Sequence, residues 1–95
     1  MRKYDLSEAI SKDCGIDFDT AERAVESFIK NVKKANERGE EVILRGFGVW
    51  SVRIKPTRKA RNMALGIPML IPAHSYPYFK PYGPYSEKIK KSNPV

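Results

Sequence analysis

Five arginine and lysine side chains near the middle of this 95-residue chain have the clearest chemistry. They are Arg53, Lys55, Arg58, Lys59 and Arg61. Each is positively charged near neutral pH and donates charge-assisted hydrogen bonds to anionic oxygens. The cluster therefore predicts an anionic partner, which is a nucleic acid, an acidic membrane surface or an acidic protein.

The charge of the chain is unevenly distributed. Residues 1–41 hold ten acidic and eight basic residues, a net charge of −2, whereas residues 42–86 carry +7 with no acid and residues 87–95 carry +2. A soluble surface is served by interspersed charges of both signs, so a long stretch without an acid indicates a binding surface. A basic surface loop without a partner is the alternative explanation.

Groups suited to catalysis or metal binding are sparse. Cys14 is the single cysteine and His74 the single histidine, so the sequence predicts neither an intrachain disulfide nor a metal site. We expect Cys14 to be a small buried hydrophobic residue. Because the sequence also lacks a nucleophile–base pattern and a phosphate-binding glycine motif, we expect a binding protein with no enzymatic activity, cofactor or small-molecule substrate.

Size and hydropathy restrict the organisation further. A chain of 95 residues forms one domain. No apolar run approaches the ~18–20 residues of a membrane-spanning helix, and no long apolar stretch follows the first residues as in a cleaved signal peptide. We therefore expect neither a membrane-spanning helix nor a signal peptide, and the single cysteine is consistent with a reducing compartment. Among the anionic partners, a membrane is not the one expected.

Two helices are predicted in residues 1–39. Residues 3–14 place Leu6, Ala9, Ile10 and Cys14 on one helical stripe that ends at Gly15. The next apolar residues repeat at helical spacing over four turns: Ala21, Ala24, Val25, Phe28, Ile29, Val32 and Ala35. Asp17 is the expected N-cap of this second helix, and Gly39 follows its end.

After Gly39 the sequence pattern changes to that of strands. Residues 41–44 predict a short strand, Arg45-Gly46-Phe47-Gly48 a turn, and residues 49–55 a strand with alternating faces. Trp50, Val52 and Ile54 share one face. Ser51, Arg53 and Lys55 share the other, and the same parity carries Lys59 and Arg61 onto the charged face.

Residues from about 53 to 75 predict a two-stranded arm that extends from the body. The arm turns near Asn62 to Gly66, and it has few large side chains to bury. An isolated ribbon is marginally stable in water, so we expect it to order fully only on a partner.

Gly83-Pro84 begins a short last helix over residues 83–91. The elements together predict an α+β fold: a helix pair, a small antiparallel sheet with a protruding arm, and a C-terminal helix.

The body of roughly 70 residues is small for its aromatic content, and oligomerisation is a usual remedy for a small core. Four residues are predicted to build a hydrophobic core shared by two chains: Phe28, Phe47, Trp50 and Phe79. A twofold dimer would place two basic arms side by side. A homodimer is expected, with a heterodimer of related chains as the alternative.

In the order and spacing of its motifs, the chain resembles the HU/integration host factor family of bacterial histone-like DNA-binding proteins over about residues 1–91. After the two N-terminal helices, the motifs are Gly46-Phe47-Gly48 before Trp50, then Arg53, Arg58-Lys59-x-Arg61-Asn62, Gly66, Ile71-Pro72-Ala73 and Phe79-Lys80-Pro81. The resemblance implies an intertwined dimer whose helical base (1–39) and sheet with arm (40–82) carry two β-ribbons that embrace DNA.

The resemblance also implies a function and a site. The expected function is architectural: a dimer binds double-stranded DNA largely independently of sequence, places its arms in the minor groove and bends or compacts the duplex. The implied DNA-binding residues are Lys3, Arg53, Lys55, Arg58, Lys59, Arg61, Asn62, Met63 and Lys80. Such a protein is expected in the cytoplasm, associated with the nucleoid.

Some positions depart from the family pattern. The family usually has proline after Arg61-Asn62, where it wedges between base pairs, and this chain has Met63. We expect Met63 to act as the wedge with Leu65 in reserve, and an inactive turn residue is the alternative. A lysine near the last helix is replaced by Gly83, and the tyrosines of residues 76–85 are atypical.

Two other function classes stay open from the residues alone. One is an RNA-binding or ribosome-associated basic protein. The other is a scaffold whose arms hold an acidic protein by strand addition. The tyrosine run is expected to pack at the base of the arms, with a stacking platform for single-stranded nucleic acid as the alternative.

Overall fold

The computed structural model describes residues 1–62, 64 and 66–95, and it begins with two helices. Helix α1 spans Lys3–Cys14 and helix α2 spans Phe18–Glu37. Asp17 caps α2, because its carboxylate accepts hydrogen bonds from the backbone N–H of Thr20 at 3.2 Å and from the Thr20 hydroxyl at 2.6 Å. The predicted helix pair and its cap are confirmed.

The two helices pack against each other through small side chains. Ala21 and Val25 of α2 are buried, and Ser7 of α1 has no exposed surface. The Ser7 hydroxyl donates to the Lys3 carbonyl at 2.7 Å, which satisfies its polar group inside the contact. The expectation that Cys14 is buried is wrong for this chain, because Cys14 is the last residue of α1 and its side chain is exposed.

Three antiparallel strands form a sheet beside α2. They are β1 (Val42–Leu44), β2 (Gly48–Lys55) and β5 (His74–Pro81), in the order β1-β2-β5. The β1–β2 turn has Gly46 at φ 81°, a conformation that favours glycine. The side-chain amide of Asn36 donates to the Trp50 carbonyl at 3.3 Å and so links α2 to β2.

The arm is a separate two-stranded sheet, which we call the ribbon. It consists of β3 (Arg58–Asn62) and β4 (Ile67–Ile71), paired from Arg58 with Ile71 to Asn62 with Ile67. It is shorter than the predicted 53–75, because Arg53 and Lys55 pair with β5 in the three-stranded sheet. Residues 56–57 and 72–73 link the two sheets.

Helix α3 spans Gly83–Ser92, with Pro84 in its first turn as predicted. None of the described helices is long and apolar enough to cross a membrane.

The chain is extended, with principal dimensions of 58 × 35 × 27 Å and a radius of gyration of 18.8 Å. A compact domain of this length would have a radius of gyration of ~12 Å. The ribbon contributes to the extension, since among the described residues each of its strands packs mainly on the other. The predicted α+β fold with a protruding ribbon is confirmed.

Candidate nucleic-acid interface

The ribbon presents three cations to solvent. Arg58, Lys59 and Arg61 all lie on β3 and are exposed. Alternation along the strand puts Lys59 and Arg61 on one face and Arg58 on the other. Within the part of the chain that the structure describes, the ion pairs all lie outside residues 42–86. The ribbon charge is therefore available to an anionic partner on both faces.

Arg53 and Lys55 continue the positive surface onto the three-stranded sheet. Both are exposed on the face opposite Trp50. The Arg53 guanidinium carbon lies 4.0 Å from the centre of the Tyr78 ring, and the Lys55 Nζ lies 5.0 Å from the centre of the Tyr76 ring. These are cation–π contacts, in which the electron-rich ring face attracts the cation.

The other predicted contact residues are spread over the fold. Lys80 is exposed and pairs with Val49, on the same sheet face as Arg53. Lys3 lies on α1, and its Nζ is 3.0 Å from a carboxylate oxygen of Glu26 on α2, so it belongs to the helical part and not to the sheet or ribbon. Asn62 is the last residue of β3. Met63 and Leu65, the predicted wedge and its reserve, lie outside the described residues.

The sheet face opposite the cations is aromatic. Trp50 and Phe79 are paired across β2 and β5, and their ring centres are 4.7 Å apart in a stacked arrangement. Phe47 lies 5.1 Å from Phe79 and 5.5 Å from Tyr85, measured between ring centres. Three of the four predicted core aromatics therefore form one cluster that anchors α3 to the sheet.

An apolar groove of about 530 Å³ runs between α2 and the aromatic face of the sheet. Phe28 and Val32 line it from α2, and Trp50 and Val52 line it from β2. Phe28, the fourth predicted core aromatic, has 45% of its surface exposed. Among the described residues, only three apolar side chains are buried: Ala21, Val25 and Ala35. Many large apolar side chains, including Phe28, are therefore exposed to solvent in a single copy of the chain.

The site is built from arginine and lysine cations. Away from it, the hydrogen bond from the Thr20 side chain lowers the pKa of the Asp17 carboxyl below its usual value of 3.8. No group of three or more His, Cys, Asp or Glu side chains that could hold a metal ion occurs in the described part of the chain. The arrangement is suited to binding anions through its cations.

Comparison with known proteins gives the family of this chain. The family described as "Bacterial DNA-binding protein" matches residues 1–90. The chain is 37% identical over 81 residues to integration host factor subunit alpha of Actinobacillus pleuropneumoniae, a match covering 85% of this chain and 83% of that protein. It is 34% identical over 90 residues to DNA-binding protein HU of Geobacillus stearothermophilus, covering 95% of this chain and all of that protein. The chain belongs to the HU/integration host factor family.

A solved member of the HU/integration host factor family has the same fold. The Anabaena HU–DNA cocrystal structure matches with a TM-score of 0.89 and 27% identity, covering 94% of this chain and 97% of that one. The match thus extends over nearly the whole of both chains.

Within this HU/integration host factor fold, two residues that were not among the predicted DNA-binding residues lie next to them. Tyr76 and Tyr78 were expected to pack at the base of the arm, and the structure places each beneath a cation. Because side chains alternate along a strand, the sequence places both tyrosines on the sheet face opposite Phe79. The missing information was the register between β2 and β5, which a single sequence does not contain.

Proposed function

We propose that this chain is an architectural protein that binds double-stranded DNA as a dimer, largely independently of sequence, and bends or compacts it. The observation that carries the proposal is the exposed ribbon, whose three cations form no ion pair with any residue that the structure describes, on a base whose fold matches that of an HU chain crystallised with DNA. The role is binding rather than catalysis, and the protein acts in the cytoplasm on the nucleoid.

The dimer follows from the surface that one copy leaves open. A groove lined by Phe28, Val32, Trp50 and Val52 would expose a large apolar area to water if the chain were alone. A second copy related by a twofold axis covers the same groove on both chains at once. A homodimer of this kind presents two ribbons to one duplex.

Binding occurs mainly through phosphates. Two copies of the five central cations offer up to ten contacts, and each contact releases condensed counterions from the duplex. If six to ten contacts form, log K against log [salt] has a slope of about −5 to −9. The ribbons occupy the minor groove, where the base pattern is degenerate, so the protein responds to groove width and deformability more than to sequence.

A salt titration with labelled duplex DNA tests the phosphate contacts. Arg58→Ala combined with Arg61→Ala removes four cations from a dimer, so we expect weaker binding to every sequence and a slope that is smaller by about 3–4. Lys12→Ala combined with Arg38→Ala is the matched control, because it removes the same charge from helical residues paired with Glu8 and Glu40. An unchanged slope in the ribbon variant would contradict the proposal.

The bending step is tested separately. An apolar wedge unstacks a base step at a cost of about a few kcal/mol, offset by the contacts that the bent duplex makes. We propose Met63 as this wedge, so Met63→Ala keeps most of the affinity and reduces bending, measured by FRET between the duplex ends. Equal bending would exclude Met63 as the wedge.

Competition with duplex RNA and single strands distinguishes DNA binding from an RNA-binding role.

A further inference from the structure

The two cation–π contacts of the sheet repeat one geometry. Arg53 is paired across the strands with Tyr76 but lies over Tyr78, two residues along β5. Lys55 is paired with His74 but lies over Tyr76, again two residues along. The result is an alternating row of Lys55, Tyr76, Arg53 and Tyr78, which we call the cation–tyrosine ladder. The two tyrosine rings meet edge to face, with centres 6.4 Å apart.

A ring beneath a cation restrains it without neutralising it. A carboxylate partner would use the N–H donors of Arg53, whereas the Tyr78 ring attracts the guanidinium through its π face, with the ring centre 4.0 Å from the guanidinium carbon, and supplies no carboxylate oxygen to occupy those donors. Residues 42–86 contain no acid, and within the described part of the chain neither cation takes part in an ion pair. Arg53 and Lys55 are exposed, so their free side chains would otherwise sample many rotamers.

The spacing of the ladder suits consecutive anions. Residues two apart on one strand are ~6.6 Å apart, which is comparable with the separation of neighbouring phosphates along one nucleic-acid strand. Arg53 and Lys55 therefore present donors at the repeat of a phosphodiester backbone. Because the two rings hold these donors in place, the ordering cost of binding is reduced.

We propose that Tyr76 and Tyr78 are positioning residues that hold Lys55 and Arg53 for contact with two successive phosphates of one DNA strand. This rests on the proposed function and extends it, since it makes the base of the ribbon a preorganised part of the DNA-binding surface. The tyrosines act through the cations.

A double-mutant cycle on the full chain tests the positioning role. Tyr78→Leu is expected to weaken duplex binding by about two- to tenfold for each chain of the dimer, with an unchanged salt slope because Arg53 still reaches its phosphate. Tyr78→Phe keeps the ring and is expected to restore the affinity. In an Arg53→Ala background, Tyr78→Leu should have no further effect. Tyr82→Leu, at an exposed tyrosine outside the ladder, is the matched control.

A second measurement needs no DNA. The NMR order parameter of the Arg53 Nε–H bond should fall in Tyr78→Leu and be retained in Tyr78→Phe. If Tyr78→Leu does not fold, Tyr76→Leu tests the same role through Lys55, again with the phenylalanine variant beside it. A merely structural tyrosine would weaken binding equally with and without Arg53.

The outcomes separate the two proposals. If the unmodified chain does not bind duplex DNA, the proposed function fails. If it binds, and Tyr78→Leu binds equally well or loses the same affinity in the Arg53→Ala background, the positioning role is overturned while the proposed function stands. An order parameter of Arg53 that does not respond to loss of the ring overturns the positioning role by itself.

Discussion

Truncation of Phe28 to alanine tests whether the groove is a dimer surface. Phe28 has 45% of its surface exposed in one chain, an area that corresponds to ~90 Å² for a phenylalanine side chain. Covering that area is worth ~2 kcal/mol, and a twofold dimer covers it twice. Phe28→Ala is therefore expected to weaken dimerisation by ~4 kcal/mol, or about a thousandfold in the dissociation constant.

Sedimentation equilibrium over a range of protein concentrations measures this constant directly. Thermal unfolding gives an independent readout, because the Tm of a protein whose folded state is dimeric rises with concentration. Leu70→Ala is the matched control: Leu70 is an exposed apolar residue of the ribbon, outside the groove. We expect the dimer dissociation constant of Leu70→Ala to equal that of the unmodified chain.

The assignment of the groove as a dimer surface fails if the unmodified chain sediments as a monomer with a Tm that does not depend on concentration. It also fails if Phe28→Ala and Leu70→Ala dimerise equally tightly, because the groove would then contribute nothing specific to the interface. A Phe28→Ala chain that is monomeric and unfolded would support it, since one copy buries only three apolar side chains among its described residues.

Two further predictions concern folding. In Gly48→Ala a Cβ would lie 2.5 Å from the Lys80 carbonyl oxygen, so we expect the free energy of unfolding, measured with denaturant, to fall by about 1–3 kcal/mol. Gly83→Ala is the control, because a Cβ there meets open space, and its free energy of unfolding should match that of the unmodified chain. The pKa of Asp17 is lowered in the folded chain, chiefly by the Thr20 hydrogen bond, so its carboxylate stabilises α2 above its unfolded pKa and this contribution is lost as the pH falls through the folded value. The Tm difference between the unmodified chain and Asp17→Ala should thus be largest above about pH 5 and shrink towards pH 2, and a constant difference would exclude a role of the charge.

Local patterns were sufficient to predict the elements of this fold. The stripe from Ala21 to Ala35 is confirmed as α2 because seven apolar residues repeat at a helical period, and Asp17 is confirmed as its cap. The strand of residues 49–55 is confirmed as the greater part of β2, since one face is apolar and the other polar. Such signals depend on neighbours in sequence, which a single chain contains.

The differences arose where distant residues meet. The ribbon begins at Arg58 rather than 53 because Arg53 and Lys55 continue the pairing of β2 with β5, and that pairing depends on register. The buried Ser7 was missed because a hydroxyl bonded to the carbonyl four residues earlier carries no apolar signal. The identity of the predicted DNA contacts remains a prediction, carried by charge, exposure and family membership.

The two links between the ribbon and the base have a mechanical consequence. Pro56 and Pro72 lack the N–H that would extend a hydrogen-bond ladder through the links. One hydrogen bond, from the Ala73 N–H to the Thr57 hydroxyl oxygen at 3.1 Å, crosses between them. We expect rotation at these two points to change the tilt of the ribbon while both sheets keep their pairing. The links would then act as a hinge, which in the proposed DNA complex lets the ribbon follow duplexes of different curvature.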